Sequence, residues 1–173
     1  MGPSYAVLRH VIAIAVLPFT VTVLIPIWIA RGNGLRFPHP ITSPAIIVLD
    51  VLGVALLAIG LRLFTASLRR FAVEGQGTLA PWDPPRNLVV AGPYRFVRNP
   101  MISGVVFVLF GEACLLTSWP HAEWALAFLL LSVVSFAVWE EPQLRRRFGK
   151  PYREYCRNVG RLIPRLTPWV PGK

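Results

Sequence analysis

Arg98-Asn99-Pro100 and Glu140-Glu141-Pro142 are the two places where charged side chains and a proline coincide at the edge of an apolar run. An arginine can grip a carboxylate through charge-assisted hydrogen bonds, and paired carboxylates suit an ammonium group or sugar hydroxyls. Proline is tolerated at a first helical position because its missing amide needs no partner there. Asn99 is therefore positioned to cap a helix beginning at Pro100. Gly104, one turn further on, permits close approach of a ligand or another helix. Each group also has a plainer reading: a capped, snorkelling helix end for Arg98, and an interfacial pair bridging to Arg145 or Arg146 for the glutamates. Asp50 and Glu112 lie inside apolar runs, where ionisable residues are costly and often functional, or else neutral or paired.

Other chemistry is sparse. His10, His39 and His121 are scattered, and Cys114 and Cys156 form no CxxC or Cys/His cluster, so neither a metal site nor a disulfide framework is indicated.

These groups must be positioned by apolar helices. The chain has 173 residues, consistent with a single domain, and is 54% hydrophobic but only 15% charged, too apolar for an ordinary soluble domain. Val11–Ala30 contains no charge and has the roughly twenty residues needed to cross a bilayer. It is too long for the apolar part of a signal peptide. Ile41–Leu63, Met101–Ser118 and Ala122–Trp139 are the next three spans. The expected fold is an all-α integral membrane protein of about four transmembrane helices in two hairpins. Residues 1–64 form the first hairpin; residues 65–173 hold a loop, the second hairpin and a basic tail. In that tail Leu144, Phe148, Tyr152 and Tyr155 recur at helical spacing, with local breaks expected at Gly149 and Pro151. A helix lying on an anionic membrane surface is the expectation there, rather than a nucleic-acid-binding segment.

Gly92-Pro93-Tyr94-Arg95-Phe96-Val97-Arg98-Asn99-Pro100-Met101-Ile102-Ser103-Gly104 precedes the second hairpin, and Glu140 through Tyr155 follows it. This ordered pair of motifs resembles the isoprenylcysteine carboxyl methyltransferase and phospholipid methyltransferase superfamily over about residues 75–165. Val159-Gly160-Arg161 and Pro164 resemble its closing segment. Asn99 stands where the family often has His, and Ile102 where Tyr is common. The resemblance implies S-adenosylmethionine as cofactor. It also implies Gly92, Tyr94, Arg98, Asn99, Pro100 and Gly104 on one wall of its site, with Glu140 and Glu141 on the other. Arg98 and Glu141 are the expected catalytic pair.

The acceptor implied is lipidic or amphiphilic: a prenyl-cysteine-like carboxylate, a lipid amine or a thiol. Because the apolar bundle offers no aqueous route, the acceptor is expected to enter sideways from the bilayer; Gly75–Pro85 is either a lid, with Trp82 covering an apolar tail, or merely an ordered connector. In-line methyl transfer depends on orientation and desolvation. Two other classes compete: a sterol-reductase-like oxidoreductase using a nicotinamide cofactor, and a non-catalytic lipid-binding membrane protein. The first is usually much longer. The second would bind no cofactor and tolerate loss of both glutamates.

Charge asymmetry sets the expected orientation. Of 18 Lys and Arg, sixteen fall on the side holding both termini and the middle loop; only Arg31 and Arg36 fall opposite. The positive-inside rule then places both termini in the cytoplasm. Cysteine-accessibility labelling at positions 34 and 170 should report opposite faces. Equal access from one face would overturn the four-span arrangement.

Overall fold

The computed structural model describes residues 15–35, 40, 43–75 and 86–171, and among these all the regular secondary structure is helical. Helix α1 combines a π-helical segment, Ala15–Leu24, with the α-helical Ile25–Gly32. Helix α2 is Pro44–Arg70, prolonged by the π-helical turn Phe71–Gly75. A 3-10 turn at Gly92–Arg95 precedes α3, Pro100–Leu115. Helix α4, Trp119–Ser135, runs through Phe136–Glu140 into α5, Glu141–Asn158.

Two continuous helical stretches, Pro44–Gly75 and Trp119–Asn158, are long and apolar enough to cross a membrane, whereas Leu17–Gly32 and Pro100–Leu115 are apolar but shorter. At about 1.5 Å per residue the first long stretch extends roughly 48 Å, well beyond a hydrocarbon core of about 30 Å. The outward surface of these helices is apolar: Val48, Val51, Val54, Leu130, Leu131 and Val134 are all exposed. Such a surface suits lipid, with Trp28 and Trp119 exposed near helix ends and Trp139 exposed at the end of the apolar run, as interfacial indoles would be.

Helix α2 packs chiefly on α3, and glycines make the close seam. A Cβ on Gly60 would stand 2.7 Å from the Gly104 carbonyl oxygen, and one on Gly104 would stand 2.8 Å from the Phe64 amide nitrogen. Gly53 and Gly111 repeat the arrangement one heptad away: a Cβ on either would lie 2.9 Å from the other's carbonyl oxygen. Where lipid surrounds the helices, dispersion between closely packed backbones favours association.

Helix α1 contacts α3 and α4, so it does not pair with α2 as a simple hairpin would. Specific polar ties explain this. His121 Nε2 donates to the Pro26 carbonyl at 3.1 Å, while its Nδ1 accepts from the Ser118 hydroxyl at 2.8 Å. The carbonyl can only accept, which fixes the neutral imidazole tautomer. Trp124 Nε1 donates to the Val21 carbonyl at 3.1 Å.

Two further expectations change. Helix α2 continues past Leu63 to Gly75, so the boundary drawn at residue 64 falls inside a helix. Good helix formers and the Arg70–Glu74 ion pair at 2.9 Å support that extension. The apolar stripe of α5 is covered by protein: Tyr152, Tyr155, Val159 and Trp169 form a core against Leu88, Val90, Leu144 and Phe148. It is therefore not the lipid-facing stripe of an interfacial helix. The break does occur at Gly149, whose φ of 58° turns the chain and lets Pro151–Asn158 fold back onto the loop.

Substituting Gly60 with Val should destabilise the bundle, since backbone atoms of α3 cannot yield as a flexible side chain could. Thermal unfolding in detergent should show a loss of about 1–3 kcal/mol. An unchanged melting temperature would mean that the seam contributes nothing.

Candidate functional site

The sequence places Arg98 and Glu141 at opposite ends of a helical hairpin, and the fold brings them together. Asn99 caps α3, its side-chain oxygen accepting from the Ile102 amide at 3.5 Å, and Pro100 is the first helical residue. Arg98 lies just before that cap. Helix α4 returns the chain to the same end of the bundle, where Glu141 begins α5.

Glu141 is the centre of the cluster. Arg98 donates to its Oε1 at 2.6 Å. Arg161 grips both carboxylate oxygens, Nε to Oε1 and an η-nitrogen to Oε2, each at 3.0 Å. Arg145 approaches Oε2 at 3.6 Å. The Arg98 and Glu141 side chains are only 10% and 5% exposed. Three guanidinium groups around one carboxylate leave an excess of positive charge. The bond to Glu141 raises the Arg161 pKa further, stabilising its charged form.

The same arginine reaches a second partner, donating to the Cys156 sulfur at 2.9 Å. Its Nε is buried without a hydrogen-bond partner, as is the Tyr152 hydroxyl. Tyr152 lies beside Cys156, and burial raises its phenol pKa. Buried polar atoms left unpaired are costly.

The closing segment is fastened to the Arg98 strand of chain by backbone bonds. The Arg98 amide donates to the Gly160 carbonyl at 2.9 Å, Arg165 to Phe96 at 2.9 Å, and Trp169 to Arg95 at 3.0 Å. Arg95 Nε returns a bond to the Trp169 carbonyl at 2.8 Å. The Tyr155 hydroxyl donates to the Tyr94 carbonyl at 2.6 Å. Burial raises the pKa of both phenols, which keeps the Tyr155 hydroxyl a neutral donor.

The remaining expected site residues are divided. Tyr94 is buried against Val89, Met101, Phe64 and Phe71, a packing role on the α2 side. Gly92 adopts a positive φ of 54° and lies against Arg70. Gly104 meets α2 across the helix seam, with no room for another group between their backbones. Glu140 is exposed and makes no ion pair among the described residues, so the two adjacent glutamates are not equivalent. Asn99, Ile102, Ser132, Phe136, Arg161 and Leu162 bound a cavity of only about 10 Å³ between α3, α4 and the closing segment. Tyr152, Cys156 and Arg161 are the contributors sequence reasoning did not assign. The cluster lacks the metal-type groupings of His, Cys, Asp and Glu among the described residues.

The phospholipid methyltransferase family model matches residues 48–151, from α2 through the first motif and into the second, in α5. The chain belongs to the phospholipid methyltransferase family. Membership makes methyl transfer its expected reaction class and places it with membrane-associated enzymes. The family match ends just before Tyr152, so Cys156 and Arg161 extend the cluster beyond the matched region. No curated protein and no solved structure matches the chain.

Replacing Glu141 with Gln should leave Arg98 buried without its countercharge. Breaking a buried pair in this way typically costs about 3–5 kcal/mol. Thermal unfolding of Glu141→Gln beside Glu140→Gln measures the difference. Equal melting temperatures for the two variants would show that the Glu141 cluster is not a structural anchor.

Proposed function

We propose that this family member transfers a methyl group from S-adenosylmethionine to an amphiphilic acceptor at the cytoplasmic membrane surface, with both termini on that side. The observation that supports the reading most is the joining of the two motifs through Arg98, Glu141 and Arg161. The donor set fits the cofactor's polar groups. Excess positive charge suits its carboxylate, and the unpaired Arg98 Nε and Tyr152 hydroxyl are donors without partners. When bound, the cofactor supplies an electrophilic methyl group on a sulfonium.

The residues then have distinct tasks. Glu141, already held by arginines, positions Arg98 and Arg161. Glu140 remains the accessible carboxylate, available to an ammonium group of the cofactor or to a protonated amine acceptor. Gly92, Tyr94, Asn99, Pro100 and Gly104 set the loop and helix geometry that holds Arg98 in place. A carboxylate or thiolate acceptor needs no general base, whereas an amine must lose a proton first. The family description favours a lipid acceptor.

The cavity at Asn99 and Arg161 is far too small for the cofactor. Binding within that cavity would call for the Arg161–Leu162 part of the closing segment to move away from α3 and α4. The same separation would open a sideways route from the bilayer for the acceptor's reactive head. The expected lid containing Trp82 lies outside the described residues; its flanks are tied, with the Arg86 and Asn87 amides both donating to the Gly75 carbonyl at 2.7 and 3.3 Å.

Calorimetry with S-adenosylmethionine should show binding by the wild type, whereas a nicotinamide cofactor should not bind. Tyr152→Phe should weaken that binding by about 0.5–1.5 kcal/mol, the net worth of one hydrogen bond, without lowering thermal stability. Arg98→Ala should cost roughly 1.5–3 kcal/mol of cofactor affinity. Wild-type affinity in both variants would remove this cluster from the cofactor site. Transfer of labelled methyl to a lipid extract, followed by product mass, would identify the acceptor.

A further inference from the structure

A second candidate binding site lies at the opposite end of the bundle. Glu141 follows Trp119 by 22 residues along α4 and its continuation, so about 33 Å separates this end from the Arg98 cluster. The last turns of α1 and the first turns of α4 diverge there around a groove of about 520 Å³, lined by Trp28, Gly32, Asn33, Glu123, Trp124 and Ala127 among others.

The groove contains one carboxylate, Glu123, which is exposed and makes no ion pair among the described residues. Two indoles accompany it. Trp124 is fixed by its Nε1 bond to the Val21 carbonyl, while Trp28 is 75% exposed. A carboxylate with two aromatic rings is chemically complementary to an ammonium group. Indole faces attract cations through their quadrupole, most effectively when the site is shielded from water. The apolar surface below the groove continues along Leu126 and Leu130, both exposed, and suits acyl chains.

We propose that this groove binds the ammonium-bearing headgroup of a bilayer phospholipid, choline or ethanolamine, with Glu123 and the Trp28 and Trp124 rings contacting the ammonium. The occupant is a lipid because the groove opens on an apolar exterior. The inference does not depend on the methyl-transfer site, which shares no residue with it.

The test is native mass spectrometry of the full chain in detergent, titrated with phosphatidylcholine, phosphatidylethanolamine or phosphatidylglycerol of identical acyl chains. The wild type should bind the two ammonium lipids about tenfold more tightly than phosphatidylglycerol. Glu123→Gln and Trp28→Ala should each reduce ammonium-lipid affinity by about fivefold to thirtyfold, with little change for phosphatidylglycerol. Both side chains are exposed, so truncation leaves the packed helices intact. Equal binding of all three lipids by the wild type overturns the proposal without recourse to any variant. Headgroup preference that survives both substitutions also overturns it, by locating the selective site elsewhere, including at the Arg98 cluster.

Discussion

The bond network around the Glu141 carboxylate is the constraint on which the basic end of the molecule depends. Arg98 comes from the loop before α3, Glu141 from the start of α5, and Arg161 from the closing segment. Three separate stretches of chain therefore share one buried anion. Removing Glu141 would leave buried positive charge uncompensated in a place with little water, so this one carboxylate ties the three stretches together. The backbone bonds from Arg95, Phe96 and Arg98 to residues 160–169 are a second layer holding the same junction.

The apolar part of the bundle follows different physics. Its exterior is as hydrophobic as its interior, so exclusion from water cannot drive one helix onto another inside a bilayer. Close backbone approach at the Gly53, Gly60, Gly104 and Gly111 seam supplies contact in its place. Helix α1 is held by directed hydrogen bonds from His121 and Trp124. The buried histidine thus has an architectural explanation: its two ring nitrogens join the α4 start to α1. The groove beside this tie is formed where the two helix ends part, which links the packing of α1 to the proposed lipid site.

The two ends of the molecule differ in electrostatic character. Arginines surround the Glu141 cluster, whereas the far groove presents a carboxylate and indoles. Guanidinium groups attract anions, whereas a carboxylate flanked by indoles attracts cations. Glu140 and Glu141 show how finely location divides function between identical neighbours. One is buried among guanidinium groups; the other, one residue earlier on the helix, faces outward.

The sequence by itself determined the helical class, the apolar runs, the Asn99 cap, the Gly92-Pro93 turn and the Gly149 break. These depend on local composition, backbone freedom and spacing, which are readable within a few residues. It also identified the two motifs and their family through their order along the chain. It could not assign Arg161 or Cys156 to Arg98, because those contacts depend on where a long chain returns after a helical reversal. Nor could it tell that Gly104 faces α2 or that α1 packs on α3 and α4, since a glycine or an apolar helix face does not name its partner. The covered stripe of α5 has the same cause: helical spacing shows which residues share a face, while only the tertiary fold decides whether lipid or protein meets it.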